Sequence, residues 1–138
     1  MKRAAIVVAA CVLIAAPLAA QQKPAQSAPA NSAQSSSLYT AEQATRGEKV
    51  YANVCVECHE KLEYTGPEFR AKWNNRPAFE LFDLLRSTMP DENPGTLPTQ
   101  DYADVLAYMM KLNGVPAGKT PMPIEAEALK KLKIVIPK

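Results

Sequence analysis

Apolar residues return at three- and four-residue spacings in three stretches of the chain, and that period predicts three helices. The first begins after Leu38, where Thr40 and Gln43 stand at capping-box spacing. Ala44, Gly47, Val50, Tyr51, Val54, Cys55 and Cys58 then fall on one face. A second helix is predicted from about Ala78 to Ser87, with Phe79, Phe82 and Leu85 on one face and Leu81 and Leu84 beside it. Thr99 is expected to cap the third, where Tyr102, Val105, Leu106, Met109 and Met110 make a wide apolar stripe before Asn113-Gly114 stops it. Between the first two helices Pro67 reads as a block, so Glu63 to Pro77 is predicted as loop with at most a turn or two. Pro90, Pro94, Gly95 and Pro98 predict a rigid loop before the third. No stretch alternates as a strand would, and no internal repeat occurs. The pattern gives an all-α body.

The two ends depart from this pattern. Lys2 and Arg3 precede an apolar run from Ala4 to Ala16 and the small-residue zone Pro17-Leu18-Ala19-Ala20, the layout of a secretory signal cut after Ala20. An uncleaved anchor is the alternative, although the run is short for a membrane span. A lipoprotein signal ending at Cys11 fits less well, because it would leave apolar residues stranded beyond the cut. Residues 21–37 are a Gln/Ala/Ser/Pro tract without aromatic or branched apolar residues, and the composition predicts a flexible leader. At the other end, residues 115–138 form an extension that opens Pro-rich and ends basic. Ile124, Ala128, Leu129 and Leu132 share one helical face there, with Lys130, Lys131 and Lys133 off it. Either this stripe packs on the body and the lysines form a basic patch that steers an anionic partner, or the terminus frays.

Charge then narrows the partners. Tyr39 to Gly114 carries 8 basic and 12 acidic residues, a net of −4, whereas Val115 to Lys138 carries 5 basic and 2 acidic, a net of +3. An acidic body lacks the cationic footprint that nucleic acids require. Hydrophobic residues are 47% of the chain and charged residues 22%, ordinary values for one globular domain. Three helices in so short a body make a thin core, and small domains of this kind usually need a staple.

The chemistry concentrates in Cys55-Val-Glu-Cys58-His59, which contains the only histidine of the chain. A structural zinc site wants four ligands, commonly as two separated pairs, and no second pair follows. A redox dithiol of the thioredoxin kind wants a βαβ unit beside it, and no strand is predicted. Covalent haem attachment remains: two thioethers from Cys55 and Cys58, with His59 bound to the iron. A haem fixed in this way also supplies the missing apolar core, and its attachment takes place outside the cytoplasm, in agreement with an export signal.

From Leu38 to Gly114 the chain resembles class I cytochromes c. Gly47-x-x-x-Tyr51 ahead of the Cys-x-x-Cys-His motif is similar to that family's N-terminal helix, and Leu106-Ala-Tyr108-Met109 leading to Leu112 is similar to its C-terminal helix. Ser87-Thr-Met89-Pro90 resembles the loop that carries the distal methionine. Thr65-Gly66-Pro67 resembles the segment whose proline carbonyl accepts the imidazole N–H. The resemblance implies the small cytochrome c fold around one covalently bound haem c. It also implies electron transfer rather than enzymatic catalysis.

With one histidine, ligation by two imidazoles within a monomer is impossible, so the sixth position falls to Met, Lys or nothing. Met109 and Met110 continue a packing stripe, and Met122 lies beyond the last core helix. Met89, in a proline-stiffened loop 30 residues after His59, is the favoured ligand, with Met122 as the alternative. Arg76, with Trp73 and Asn75, is a candidate for meeting a haem propionate, although Trp73 serves equally well as a core anchor. Tyr51 and Tyr108 are expected to meet where the first and last helices cross. The reading is an exported, periplasmic one-electron carrier between redox proteins, a dehydrogenase donor on one side and an oxidase or another cytochrome on the other. It has no nucleic-acid partner and, with the signal removed, no membrane span. Two alternatives stand beside it: a haem protein with an open or labile sixth site that binds a small gas or acts as a minor peroxidase, and a permanent subunit of a dehydrogenase complex.

Overall fold

The computed structural model describes residues 37–138, so the predicted signal and the leader up to residue 36 lie outside the described residues. Helix α1 spans Ala41–Val50 and opens with the capping box expected of Thr40 and Gln43, each side chain accepting from the other's backbone N–H. It does not run on as a regular helix to Cys58. Tyr51–Cys55 is a π-helical turn, closed by Val56 N–H donating to the Tyr51 carbonyl at 3.1 Å. The extra residue in that turn changes the facing of every side chain after it, and such turns gather at functional sites.

The stretch predicted as loop contains a helix. α2 spans Gly66–Trp73 with Pro67 in its first turn, Glu68 beside it, and Phe69 and Trp73 buried one turn apart. Proline needs no N–H partner in a first helical turn and its φ is already set, so here it starts a helix instead of ending one. α3 spans Ala78–Thr88, one residue longer than predicted, and α4 spans Thr99–Leu112. Thr99 is the first helical residue and Pro98 stands in the capping position, without a side-chain cap. Asn113 and Gly114 end α4 as expected, with Gly114 at a φ of +73°. Among the described residues there is no strand, only isolated bridges pairing Thr40 with Gly118 and Pro77 with Lys133. None of the helices described is long and apolar enough to cross a membrane.

Helices α1 and α4 cross at Gly47. A Cβ at this position would lie 1.8 Å from the Asp104 carbonyl oxygen, so only glycine lets the backbones approach this closely. Beside the crossing, Arg46 grips the buried Asp104 carboxylate through Nε at 2.6 Å and Nη2 at 2.9 Å, and Gln100 adds a third bond at 2.8 Å. Tyr51 and Tyr108 meet there as expected, with ring centroids 5.6 Å apart. Gly47→Ala should gain about 1 kcal/mol of helix propensity but incur about 1–3 kcal/mol or more from forcing the helices apart. A lower urea midpoint for the variant checks the sign.

The C-terminal extension does not fray. Tyr39 donates its hydroxyl to the Val115 carbonyl at 2.6 Å, and the buried Gln43 amide pairs with both backbone groups of Met122, at 2.7 and 3.0 Å. After the short helix α5 (Ala126–Leu129), the chain crosses the α2–α3 connection. Asn75 N–H donates to Ile134 O, Ile134 N–H to Arg76 O, and Ala78 N–H to Leu132 O, all between 2.7 and 2.9 Å. Leu129, Ile134 and Ile136 are buried, whereas Ile124, one of the four predicted stripe positions, is exposed. The core that looked thin as three helices is thus thickened by α2 and by this strap. Of the three lysines, Lys130 is engaged by Glu127 and lies over the Phe79 ring.

Candidate functional site

Cys55, Cys58, His59 and Met89 line one cavity. The π turn contributes Tyr51, Val54 and Cys55 to its wall, and α4 contributes Tyr102, Val105 and Met109. Beyond Cys55 the chain turns tightly, with Cys58 and His59 N–H both donating to the Cys55 carbonyl at 3.2 and 3.0 Å. Cys55 is partly buried and burial pushes its thiol up, whereas Cys58 is exposed. A second, more open concavity shares His59, Tyr64, Leu85, Met89 and Met109 with the first, and Trp73 lines it from α2.

Two tyrosine hydroxyls hold the two ends of this arrangement. Tyr51 donates to the His59 carbonyl at 2.7 Å, which ties the turn after the thiols back to the helix before them. Tyr102 donates to the Met89 carbonyl at 2.8 Å and accepts from Leu97 N–H at 3.3 Å, so both ends of the Pro-rich loop are fastened to α4. Neither role was visible in the sequence, where a tyrosine on an apolar face reads only as packing. The Asn113 side chain, read as part of a stop signal, also donates to the Tyr64 carbonyl at 2.7 Å.

The remaining candidates are placed differently. Met122 lines neither concavity and is buried beside Gln43. Met109, read as core packing, is buried and lines both. Pro67 was expected to accept from the His59 ring, yet Nδ1 of that ring lies 3.0 Å from Glu63 Oε2. The cause is local: Lys61–Tyr64 is a 3₁₀ turn that brings a carboxylate four residues on back to the imidazole, while Pro67 is committed to starting α2. The bonds from His59 and from Glu60 N–H hold the Glu63 carboxyl below the ordinary range. Arg76 lines neither concavity; it pairs with Glu80 and stacks over the Trp73 ring at 5.1 Å, so its charge is already engaged.

An apolar cavity with two thiols, an imidazole and a thioether on its wall suits a large flat macrocycle held by covalent and axial bonds. It suits a bare ion poorly: among the described residues no three Cys, His, Asp or Glu side chains converge. Residues 42–109 match the model of the family described as cytochrome C oxidase, cbb3-type, subunit III. Residues 42–109 form a domain of the class I c-type cytochrome family. No curated protein and no solved structure matches it. As a cytochrome c domain it is a haem-binding electron-transfer protein, and the match runs from the first turn of α1 into the last turn of α4. The strap that follows α4 lies outside the matched part of this cytochrome.

Proposed function

We propose that this cytochrome is a monohaem one-electron carrier that works after export to the periplasm. In this reading Cys55 and Cys58 form the two thioethers, and His59 and Met89 are the axial ligands. The observation that carries it is the convergence of these four side chains on one largely apolar cavity. Bound haem supplies reversible one-electron chemistry between ferric and ferrous iron. His59 is held by Tyr51 and by its own turn, and Met89 is held by Tyr102, so both ligands are preorganised and change little between oxidation states. The neutral Met89 thioether favours the ferrous state and raises the potential. With both positions filled, no site would be left for a substrate or a gas. Export rests on the Lys2–Ala20 pattern.

The test is the optical spectrum of the purified holoprotein. The expected result is one haem per chain that survives acid-acetone extraction, low-spin in both states. The ferric form should show a thioether-to-iron charge-transfer band, and the ferrous form should leave carbon monoxide unbound. Extractable haem refutes covalent attachment, and rapid carbon monoxide binding refutes the closed sixth site.

The description of the matched family as an oxidase subunit supports a second reading, a carrier docked permanently in a larger complex. Migration of the native protein with an oxidase or dehydrogenase under mild detergent would favour it over free diffusion.

A further inference from the structure

The contact between His59 and Glu63 is assigned by neither the attachment motif nor the family match. Glu63 is fixed at both oxygens: Oε2 lies 3.0 Å from His59 Nδ1, and Oε1 accepts Glu60 N–H at 3.2 Å. The Glu60 side chain completes the reciprocal cap on the same 3₁₀ turn. The ring itself has little freedom, since the Tyr64 ring meets it edge-on with centroids 5.5 Å apart and Tyr51 holds its backbone carbonyl. With Nδ1 engaged, Nε2 is the nitrogen left to face a metal.

We propose that Glu63 is a positioning residue for His59, accepting its Nδ1–H and thereby selecting the tautomer whose Nε2 binds the iron. A carboxylate does more than a neutral carbonyl in the same place. A hydrogen bond to a charged acceptor is roughly twice as strong as a neutral one, and such a partner raises the basicity of the ligating nitrogen. A more basic nitrogen stabilises the more positive ferric iron. Glu63 therefore lowers the reduction potential, in opposition to Met89, and tunes the carrier from the proximal side. The inference rests on His59 being an iron ligand, as proposed above.

The experiment compares holoprotein carrying Glu63→Gln or Glu63→Ala with the parent. Two quantities are read: the midpoint potential, and exchange of the His59 Nδ1–H in the nitrogen-15 spectrum of the ferrous form. Glu63→Gln keeps an acceptor without charge, so the potential should rise while the N–H remains protected. Glu63→Ala should raise the potential and speed N–H exchange by about tenfold or more, the factor expected for losing a hydrogen bond of about 1.5–3 kcal/mol to a charged acceptor. A role confined to capping the turn would lower the melting temperature and leave both readings in place. Unchanged potential and unchanged exchange in both variants, with the haem still low-spin, overturn the proposal and leave the ring bonded elsewhere, for instance to the Pro67 carbonyl. A parent protein whose haem is not bound by His59 overturns the ligation reading, and this inference with it.

Discussion

Cys55→Ala/Cys58→Ala and His59→Ala variants should yield no stable low-spin holoprotein, and the polypeptide should be recovered poorly folded or degraded. The reason is energetic as well as chemical. The cavity these residues line measures ≈ 80 Å³. Left as a dry void it would cost about 2 kcal/mol, against a total stability of about 5–15 kcal/mol for a typical domain. Single Cys→Ala variants should retain one thioether and lose part of the stability. Haem content by pyridine haemochrome and helicity by circular dichroism read the two effects separately. Well-folded, haem-free protein from the His59→Ala variant would show that the body does not depend on the group it surrounds.

Met89→Ala should turn the haem high-spin or water-ligated, lower its potential and admit carbon monoxide. The structure supplies two controls. Met109 lines the same cavity from α4, and Met109→Leu, which keeps the volume, should leave the spectrum low-spin. Met122 lies in the strap, where its backbone pairs with Gln43. Met122→Ala should lose about 2–5 kcal/mol of stability as a buried truncation and leave the spectrum unaltered. A Met109→Leu variant that goes high-spin while Met89→Ala does not would move the ligand from the loop to the helix. Carrier function would survive that reassignment.

These residues differ in how far they could be read from the sequence. Thr40 and Gln43, and the stripes of α3 and α4, were legible because capping and period are local and repeat every turn. α2 was not, because six of its eight positions are polar or small and its proline has opposite meanings at the two ends of a helix. The π turn at Tyr51–Cys55 leaves no mark on a 3.6-residue period until the geometry is seen. The strap was open between packing and fraying, since the backbone partners of Ile134 are Asn75 and Arg76, far away in sequence. Cys55, Cys58, His59 and Met89 could be named from motif and loop chemistry. That they share a cavity depends on Tyr102 and Tyr51, whose hydroxyls act over tertiary distances. Glu63 stands four residues from His59, but nothing in its sequence context marks it as a partner of the ring. A proline carbonyl was expected there, and a surface glutamate has solvation as its ordinary fate.

The clasp between α1 and α4 bears on how the protein folds. Arg46 and Asp104 are 58 positions apart, and all four proposed haem-binding side chains lie in the chain between them. Bringing the ends of so long a loop together opposes closure by about 4 kcal/mol of chain entropy, before any contact inside it repays that loss. The α4 wall of the cavity therefore meets the thiols only when this span closes, and closure at Gly47 and Arg46 is expected to limit site assembly. Substitutions there should slow folding itself, in contrast to changes in the strap, which would chiefly hasten unfolding.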